Sequence, residues 1–369
     1  MTRRVTQAAL LLALAACSRS PSANAQESPE PSRPFAATPV AQFDTPWAMT
    51  FLPGSGVAKT NMALVSERDG RLWLVDVTDG SKRQVTGVPE VVVAGQGGLG
   101  DVVAAPDFAG NRRVYLSFAE AGEGGTSGAA LGYGTLEMDE GQARLADFKV
   151  IWRQQPKVTG NGHFSHRIAF AKDGTIFLSS GDRQKMAPAQ DRNSDLGKII
   201  HLTAEGQRIG GRFYSLGHRN ALGLAFDGGG RLWGIEMGPQ GGDELNHIEQ
   251  GRNYGWPEVS YGSHYRGGDI PDDHAARGFA EPKLSWATSI SPAGLIIYSG
   301  DLFPEWKGDA IFGALSGQAL LRADLDGTSA RKADQWDMGA RIREVEQGPK
   351  GEIYLLEDRG RLLRLEPAR

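Results

Sequence analysis

One short phrase recurs along this chain: glycine, a variable residue, an aliphatic, an aromatic, then another small or aliphatic residue. It reads Gly70-Arg71-Leu72-Trp73-Leu74, Gly174-Thr175-Ile176-Phe177-Leu178, Gly230-Arg231-Leu232-Trp233-Gly234 and Gly351-Glu352-Ile353-Tyr354-Leu355. Looser copies are Arg113-Val114-Tyr115-Leu116 and Asp309-Ala310-Ile311-Phe312-Gly313. Aspartate, lysine or glycine stands just before each of the four closer copies, the chemistry of a tight turn feeding a strand. Six copies at intervals of 42 to 79 residues leave room for about four short strands each, the spacing of propeller blades. Helical periodicity is nearly absent after residue 40, which argues against an α/β barrel. The repeat predicts an all-β fold, a six-bladed β-propeller; a β-sandwich with coincidental turn phrases is the other architecture the pattern allows. The longest interval, between the fourth and fifth phrases, holds an insertion of the kind that carries function.

The N-terminal segment reads differently. Arg3 and Arg4 precede an apolar run, Ala8 to Ala16, that is too short to span a bilayer permanently and reads as an export signal. It ends at Leu14-Ala15-Ala16-Cys17, a lipobox pattern that makes Cys17 the expected lipidation site; ordinary cleavage after Ala23-Asn24-Ala25 is the alternative. Cys17 is the only cysteine, so the mature globular part has no disulfide under either reading. Residues 18–40 hold five prolines among serines, alanines and charges, which predicts a semi-extended tether. The expected organisation is a signal peptide over 1–17, a tether over 18–40 and one propeller domain over 41–369. Together these place the protein in the periplasm, anchored to a membrane, the outer one, only through lipid. The net charge of −4 argues against a nucleic-acid partner, which requires a concentrated basic face.

Candidate chemistry concentrates in residues 214–257. Gly217-His218-Arg219-Asn220 and Gly238-Pro239-Gln240-Gly241-Gly242-Asp243-Glu244-Leu245-Asn246 flank the strand pattern Arg231–Glu236, and Asn253-Tyr254-Gly255-Trp256-Pro257 follows. These groups therefore sit on loops at the ends of one short strand. Arg219 and Asn220 offer a forked cation and an amide suited to a planar, oxygen-rich anion. Gly238 and Pro239 can turn carbonyls toward a hard cation, with Asp243, Glu244 and Tyr254 as further oxygen donors. His163 stands at a strand entrance, where an imidazole can act as a base; His166, of opposite strand parity, is expected to face elsewhere. Gln96 lies in a flexible glycine loop. Arg341 and Arg343 share strand parity, and two aligned guanidiniums are costly unless an anion lies between them; salt-bridged surface arginines are the plainer reading. No P-loop, dinucleotide fingerprint, nucleophile elbow or zinc-protease helix is present.

Taken in order, Gly-Gln-Gly-Gly-Leu near 96, His-Phe-x-x-Arg at 163–167, Gly-His-Arg-Asn at 217–220, Gly-Pro-x-Gly-Gly-Asp-Glu-Leu-Asn at 238–246, Asn-Tyr-Gly-Trp-Pro at 253–257 and Arg-Ile-Arg at 341–343 resemble a known family. It is the soluble aldose sugar dehydrogenases that use pyrroloquinoline quinone, the glucose/sorbosone dehydrogenase group, and the similarity runs from about residue 42 to 367. The resemblance implies a six-bladed propeller with His163 as general base. It implies quinone contacts from Gln96, Arg219, Asn220, Tyr265, Arg341 and Arg343. The carbonyls of Gly238 and Pro239 match the calcium that holds the quinone, and Glu244 with Tyr254 matches a second, structural calcium. Trp286 lies where the family packs substrate and Thr288 where it packs cofactor. Two positions depart from the family: Ser316 replaces a basic residue that contacts the cofactor, and Leu222 replaces a frequent glutamine.

The implied reaction is oxidation of an aldose at its anomeric carbon to a lactone, His163 taking the hydroxyl proton as hydride passes to the quinone. Calcium and Arg219 would stabilise the charge that develops. The electrons would pass to an external acceptor, since the chain has no haem or iron–sulfur ligand set. Two other readings stay open at this point: a calcium-dependent propeller lactonase, and a propeller that binds a glycan or protein without catalysis. The cluster of groups suited to one planar anion separates the dehydrogenase from the lactonase, and His163 separates it from the binding module.

Overall fold

The computed structural model describes residues 33–54, 61–139 and 141–368. Its innermost strands are Pro46–Phe51, Leu99–Ala104, Ser165–Phe170, Ala221–Phe226, Pro292–Ile297 and Ile342–Gln347. They lie side by side in a closed ring, the last against the first, around a central channel. From each, antiparallel strands lead outward to complete a four-stranded blade, giving the six blades that the repeat predicts. The first two blades are joined at their rims, where Lys82–Thr86 pairs in parallel with Ala143–Arg153. Apolar clusters fill the spaces between blades, so each blade face is covered by its neighbour.

The recurring phrase has a local cause. In four copies the glycine amide closes a four-residue turn, for example Gly174 N–H to Ala171 O and Gly230 N–H to Asp227 O, both at 2.9 Å. These glycines have φ between +81° and +97°, a region that side chains strain to occupy. Five aromatics of the phrase fall on the second strand of a blade. The sixth, Trp73, falls on the third strand of the first blade, Leu72–Asp76; the second strand there is Met62–Glu67. The count of six survives because each blade still contributes one copy.

The closure corrects one boundary. Residues 35–40 are not tether: Phe35–Gln42 pairs with Arg361–Pro367 as the outermost strand of the sixth blade, tying the chain's two ends into one sheet. Phe35 is 4% exposed and packs edge-on against Trp306 and Trp336. Pro39 is tolerated because it stands on an edge strand at a register break, where no ladder N–H is needed. Cys17 and the rest of the expected signal and tether up to residue 32 lie outside the described residues.

All six innermost strands share a defect at the same end. Their pairing slips at Pro46/Ala48, Leu99/Val102, Ser165/Ile168, Ala221/Gly223, Ala293/Leu295 and Ile342/Glu344. A bulge adds a residue and re-aims side chains. Here the added residues include Trp47, His166, Leu222 and Arg343, and all four line one cavity at that end of the channel.

Candidate active site

The cavity has a volume of about 430 Å³. It gathers Gln96, His163, Arg219, Asn220, Gly238, Pro239, Tyr265, Arg341 and Arg343, nine residues expected from the sequence and drawn from loops across the ring.

His163 is buried, with Nδ1 2.7 Å from Asp182 Oδ1. An ionised carboxylate can only accept, so Nδ1 carries the proton and Nε2 is left as the free base on a ring that lines the cavity. The backbone N–H of His163 donates to Gln96 Oε1 at 2.7 Å, so Gln96 positions the base as well as lining the site. Burial pushes the His163 pKa below that of free imidazole; the Asp182 hydrogen bond opposes this, and the Arg219 and Arg183 cations add to it. Burial would raise the Asp182 carboxyl, but hydrogen bonds from His163, Trp256 and the Gln184 amide hold it below its usual value. The pair is therefore set as neutral imidazole beside carboxylate.

His166 departs from expectation. Strand parity predicts that it faces away, yet it lines the same cavity. The backbone is not a regular strand there: φ is +49° at His163, +64° at Ser165 and +82° at His166, and the bulge follows at once. Its ring stacks on Phe164 at 5.3 Å, and neither ring nitrogen has a partner among the described residues. Burial, aided by the Arg183 and Arg167 cations, pushes its pKa down to about 3.

The two sequence-paired arginines do point together, but the chain supplies the anion between them. Arg341 Nε donates to Asp358 Oδ2 at 2.7 Å and Arg343 Nε to Asp358 Oδ1 at 2.8 Å. Four arginines (68, 219, 341 and 343) line the cavity against two carboxylates, Asp243 and Asp358, which leaves a cationic excess. Asp243 is itself fully engaged, accepting from the amides of Gly238, Ile290 and Ser291 at 2.7 to 2.8 Å. It organises the loops and is not the free oxygen donor the sequence suggests. Arg219 runs past Trp256 with its guanidinium 5.3 Å from the ring centre, and its Nε, buried, has no acceptor among the described residues. Its amide and the His218 ring are both held by Glu236, which explains the Gly-His-Arg-Asn run.

Gly238 and Pro239 form the cavity wall nearest a second, much smaller void of about 10 Å³, room for one ion or water. Glu244 and Tyr254 border this void and not the main cavity. A Cβ on Gly238 would meet the carbonyls of Gly241 and Gly242 at 2.3 Å, so no other residue fits the turn. Burial and the nearby Glu236 carboxylate push the Glu244 pKa well above its usual value. Asn246 Oδ1 and His274 Nε2 are buried close by with no hydrogen-bond partner among the described residues, His274 Nε2 standing 3.9 Å from Glu244 Oε1. Two buried carboxylates, Glu236 and Glu244, bordering a one-ion void are a donor set that fits a cation. The Tyr254 hydroxyl cannot serve it: it donates to His247 O at 2.5 Å and accepts from the Glu249 amide, leaving only the Tyr254 carbonyl.

Two expected residues fall outside. Trp286 packs edge-on against Phe312 at 5.7 Å, beneath the Lys332 amine, in the core between the fourth and fifth blades. Thr288 is exposed and off the cavity, whose wall is made there by Ser289 and Ser291. Ser316 bonds Ser291 Oγ and Ser289 O, closing that wall with hydroxyls where a cation was expected. Asp182, Asp358 and Trp256 are the residues that sequence reasoning missed or left without a role. Asp182 follows the strand that pairs with the His163 strand, in Ser180-Gly181-Asp182-Arg183, a local turn signal that points to no particular partner.

The fold and site define a class: a propeller whose channel mouth holds a buried histidine–carboxylate pair facing a cationic pocket. Residues 43–364 match the model of the Glucose / Sorbosone dehydrogenase family. The chain belongs to that family and is a sugar dehydrogenase of it. It is 36% identical over 344 residues to the aldose sugar dehydrogenase YliI of Escherichia coli, covering 88% of this chain and 91% of that one. Among solved structures it is similar to the apo-form soluble aldose sugar dehydrogenase from Escherichia coli, with TM-score 0.84, 34% identity and coverage of 90% of this chain and 100% of that one. It is also similar to the PQQ-bound aldose sugar dehydrogenase from Streptomyces coelicolor, with TM-score 0.74, 29% identity and coverage of 90% and 98%.

Proposed function

We propose that the protein oxidises aldose sugars at the anomeric carbon to lactones with pyrroloquinoline quinone and calcium, and passes the electrons to an external acceptor. The observation that carries this is the His163–Asp182 pair facing a pocket with an excess of arginine. The PQQ-bound relative supports the choice of cofactor. When bound, the quinone supplies the two-electron acceptor that the side chains themselves lack. Arg219, Arg341, Arg343, Gln96 and Asn220 would hold it, with Tyr265 as an exposed wall. The unpaired Nε of Arg219 fits an incoming anionic oxygen. The Gly238 and Pro239 carbonyls would hold one calcium at the quinone, and Glu244 with the Tyr254 carbonyl a second, structural one.

In this reading His163 Nε2 accepts the anomeric hydroxyl proton, and Asp182 stabilises the imidazolium while keeping the ring in place. Arg219 supplies fixed positive charge where negative charge develops, at no reorganisation cost. Leu222, Leu315 and Met237 give the cavity an apolar wall that disfavours water beside the reacting groups. The test is dye reduction by purified protein with an aldose, with and without added quinone and calcium. Sugar-dependent reduction only when both are present is expected; none, despite demonstrated quinone binding, would sink the reading.

We further propose lipidation at Cys17 and a periplasmic, membrane-tethered location, at the outer membrane. Replacing Cys17 with serine should move the protein to the soluble fraction.

A further inference from the structure

Trp256 lies in a motif that stands out in the sequence, yet neither the base nor the cation assignment uses it. Its indole Nε1 donates to Asp182 Oδ2 at 2.8 Å across 74 residues of chain. The other oxygen, Oδ1, accepts from His163 Nδ1 and from the Gln184 amide at 2.8 Å. The remaining donor to Oδ2 is the Met186 amide at 3.3 Å, so among the described residues Trp256 is the only side chain besides His163 that grips this carboxylate. A carboxylate rotates about its last bond unless both oxygens are held. A donor on Oδ2 thus keeps Oδ1 in the imidazole plane and on Nδ1. The same indole presents its face to the Arg219 guanidinium.

Trp256 is held in turn. Its amide donates to Gly217 O at 3.0 Å, and its carbonyl accepts from Gln190 Nε2 at 2.7 Å. Gln190 and Asn253 exchange hydrogen bonds through their side-chain amides, locking the loop after Asp182 to the loop that carries Trp256. The ring is buried.

We propose that Trp256 is a positioning residue for the proton-accepting base: it orients Asp182, and through it His163, from the same ring on which Arg219 rests. This rests on His163 being the base, but its test does not depend on turnover. In quinone-free protein with ¹⁵N-labelled histidine, His163 should appear as the single Nδ1–H tautomer. Trp256→Phe, which keeps a ring and removes the donor, should convert that signal to a tautomer mixture. In the reconstituted enzyme the same change should lower kcat for quinone reduction by about 10- to 100-fold while sugar KM and quinone Kd stay within about threefold. On an Asp182→Ala background it should cost little more, since both changes act through one group.

An unchanged His163 tautomer in a folded Trp256→Phe protein would overturn the proposal. So would an equal loss of kcat in the presence and absence of Asp182. Should Trp256→Phe not fold, benzothienylalanine at position 256, isosteric but without the N–H, makes the same test. Absence of dye reduction by the wild type counts against the dehydrogenase reading, whereas a tautomer indifferent to the indole counts against this one.

Discussion

At the scale of single residues, the two histidines of one tetrapeptide are held in opposite ways, and that separates their variants. His163 has a carboxylate partner and a free nitrogen; His166 has no hydrogen-bond partner among the described residues and is buried neutral. His163→Gln should keep quinone binding within a few-fold and lose about 10²–10⁴ in the rate of quinone reduction, measured by stopped flow. Because burial lowers its pKa, His163 stays neutral further into acid than free imidazole. The acid limb of kcat/KM should therefore lie below pH ~6.5, and a limb above that value would contradict the assignment. His166→Leu should keep activity within about an order of magnitude. Its signature is in stability. The unfolded chain protonates His166 near 6.5 and the folded chain only near 3, so stability falls by about 1.4 kcal/mol per pH unit on acidification between those values. Urea titrations at pH 7 and pH 5 should show that loss shrink in His166→Leu; an identical pH dependence would show that the ring is not buried neutral.

At the scale of elements, six bulges at one end of six strands do the work of aiming. A regular strand alternates its side chains, so consecutive residues cannot both face a channel; an added residue breaks that rule once per blade. The loops beyond the bulges are braced by carboxylates that accept backbone amides, Asp243 for the 238–243 turn and Asp182 for 182–186. The segment 244–254 lacks such closure around its one-ion void, where Glu244 and Glu236 repel. A ligand that binds only the folded form raises stability with its concentration. Chelation should therefore lower the melting temperature of quinone-free protein, and Glu244→Gln should remove that sensitivity. A wild-type protein indifferent to both chelator and added calcium would refute the structural cation.

For the whole molecule, the ring is closed by the strand nearest the N-terminus, so stability of the sixth blade depends on residues far from it in sequence. Phe35 is the anchor, packing edge-on against the stacked Trp306 and Trp336 rings. Phe35→Ala should destabilise by about 3–5 kcal/mol through lost burial and the cavity left behind, read as a lower urea midpoint. A shift below about 1 kcal/mol would mean that the closing strand is dispensable. The cavity opens at one end of the channel, with Tyr265, 71% exposed, at its rim.

The number of blades was legible in the chain because each blade carries its own apolar–aromatic strand phrase, and four of the six are entered through a turn glycine at positive φ, both local requirements. The loops that carry His163, Gln96, Arg219, Asn220, Gly238 and the paired arginines were legible for the same reason: their turn chemistry is written in consecutive residues. Partnership across the ring was not. Asp182 meets Trp256 over 74 residues, and Asp358 neutralises a pair of arginines on a neighbouring strand; no local pattern marks either. Parity misjudged His166 because a bulge, a property of two paired strands, decides where that ring points. The family resemblance made Trp286 a substrate contact, but its ring packs in the core against Phe312. Backbone conformation and burial period follow from neighbours in sequence. Which charges meet, and which rings face the cavity, follow from neighbours in space, and those exist only once the six blades have closed.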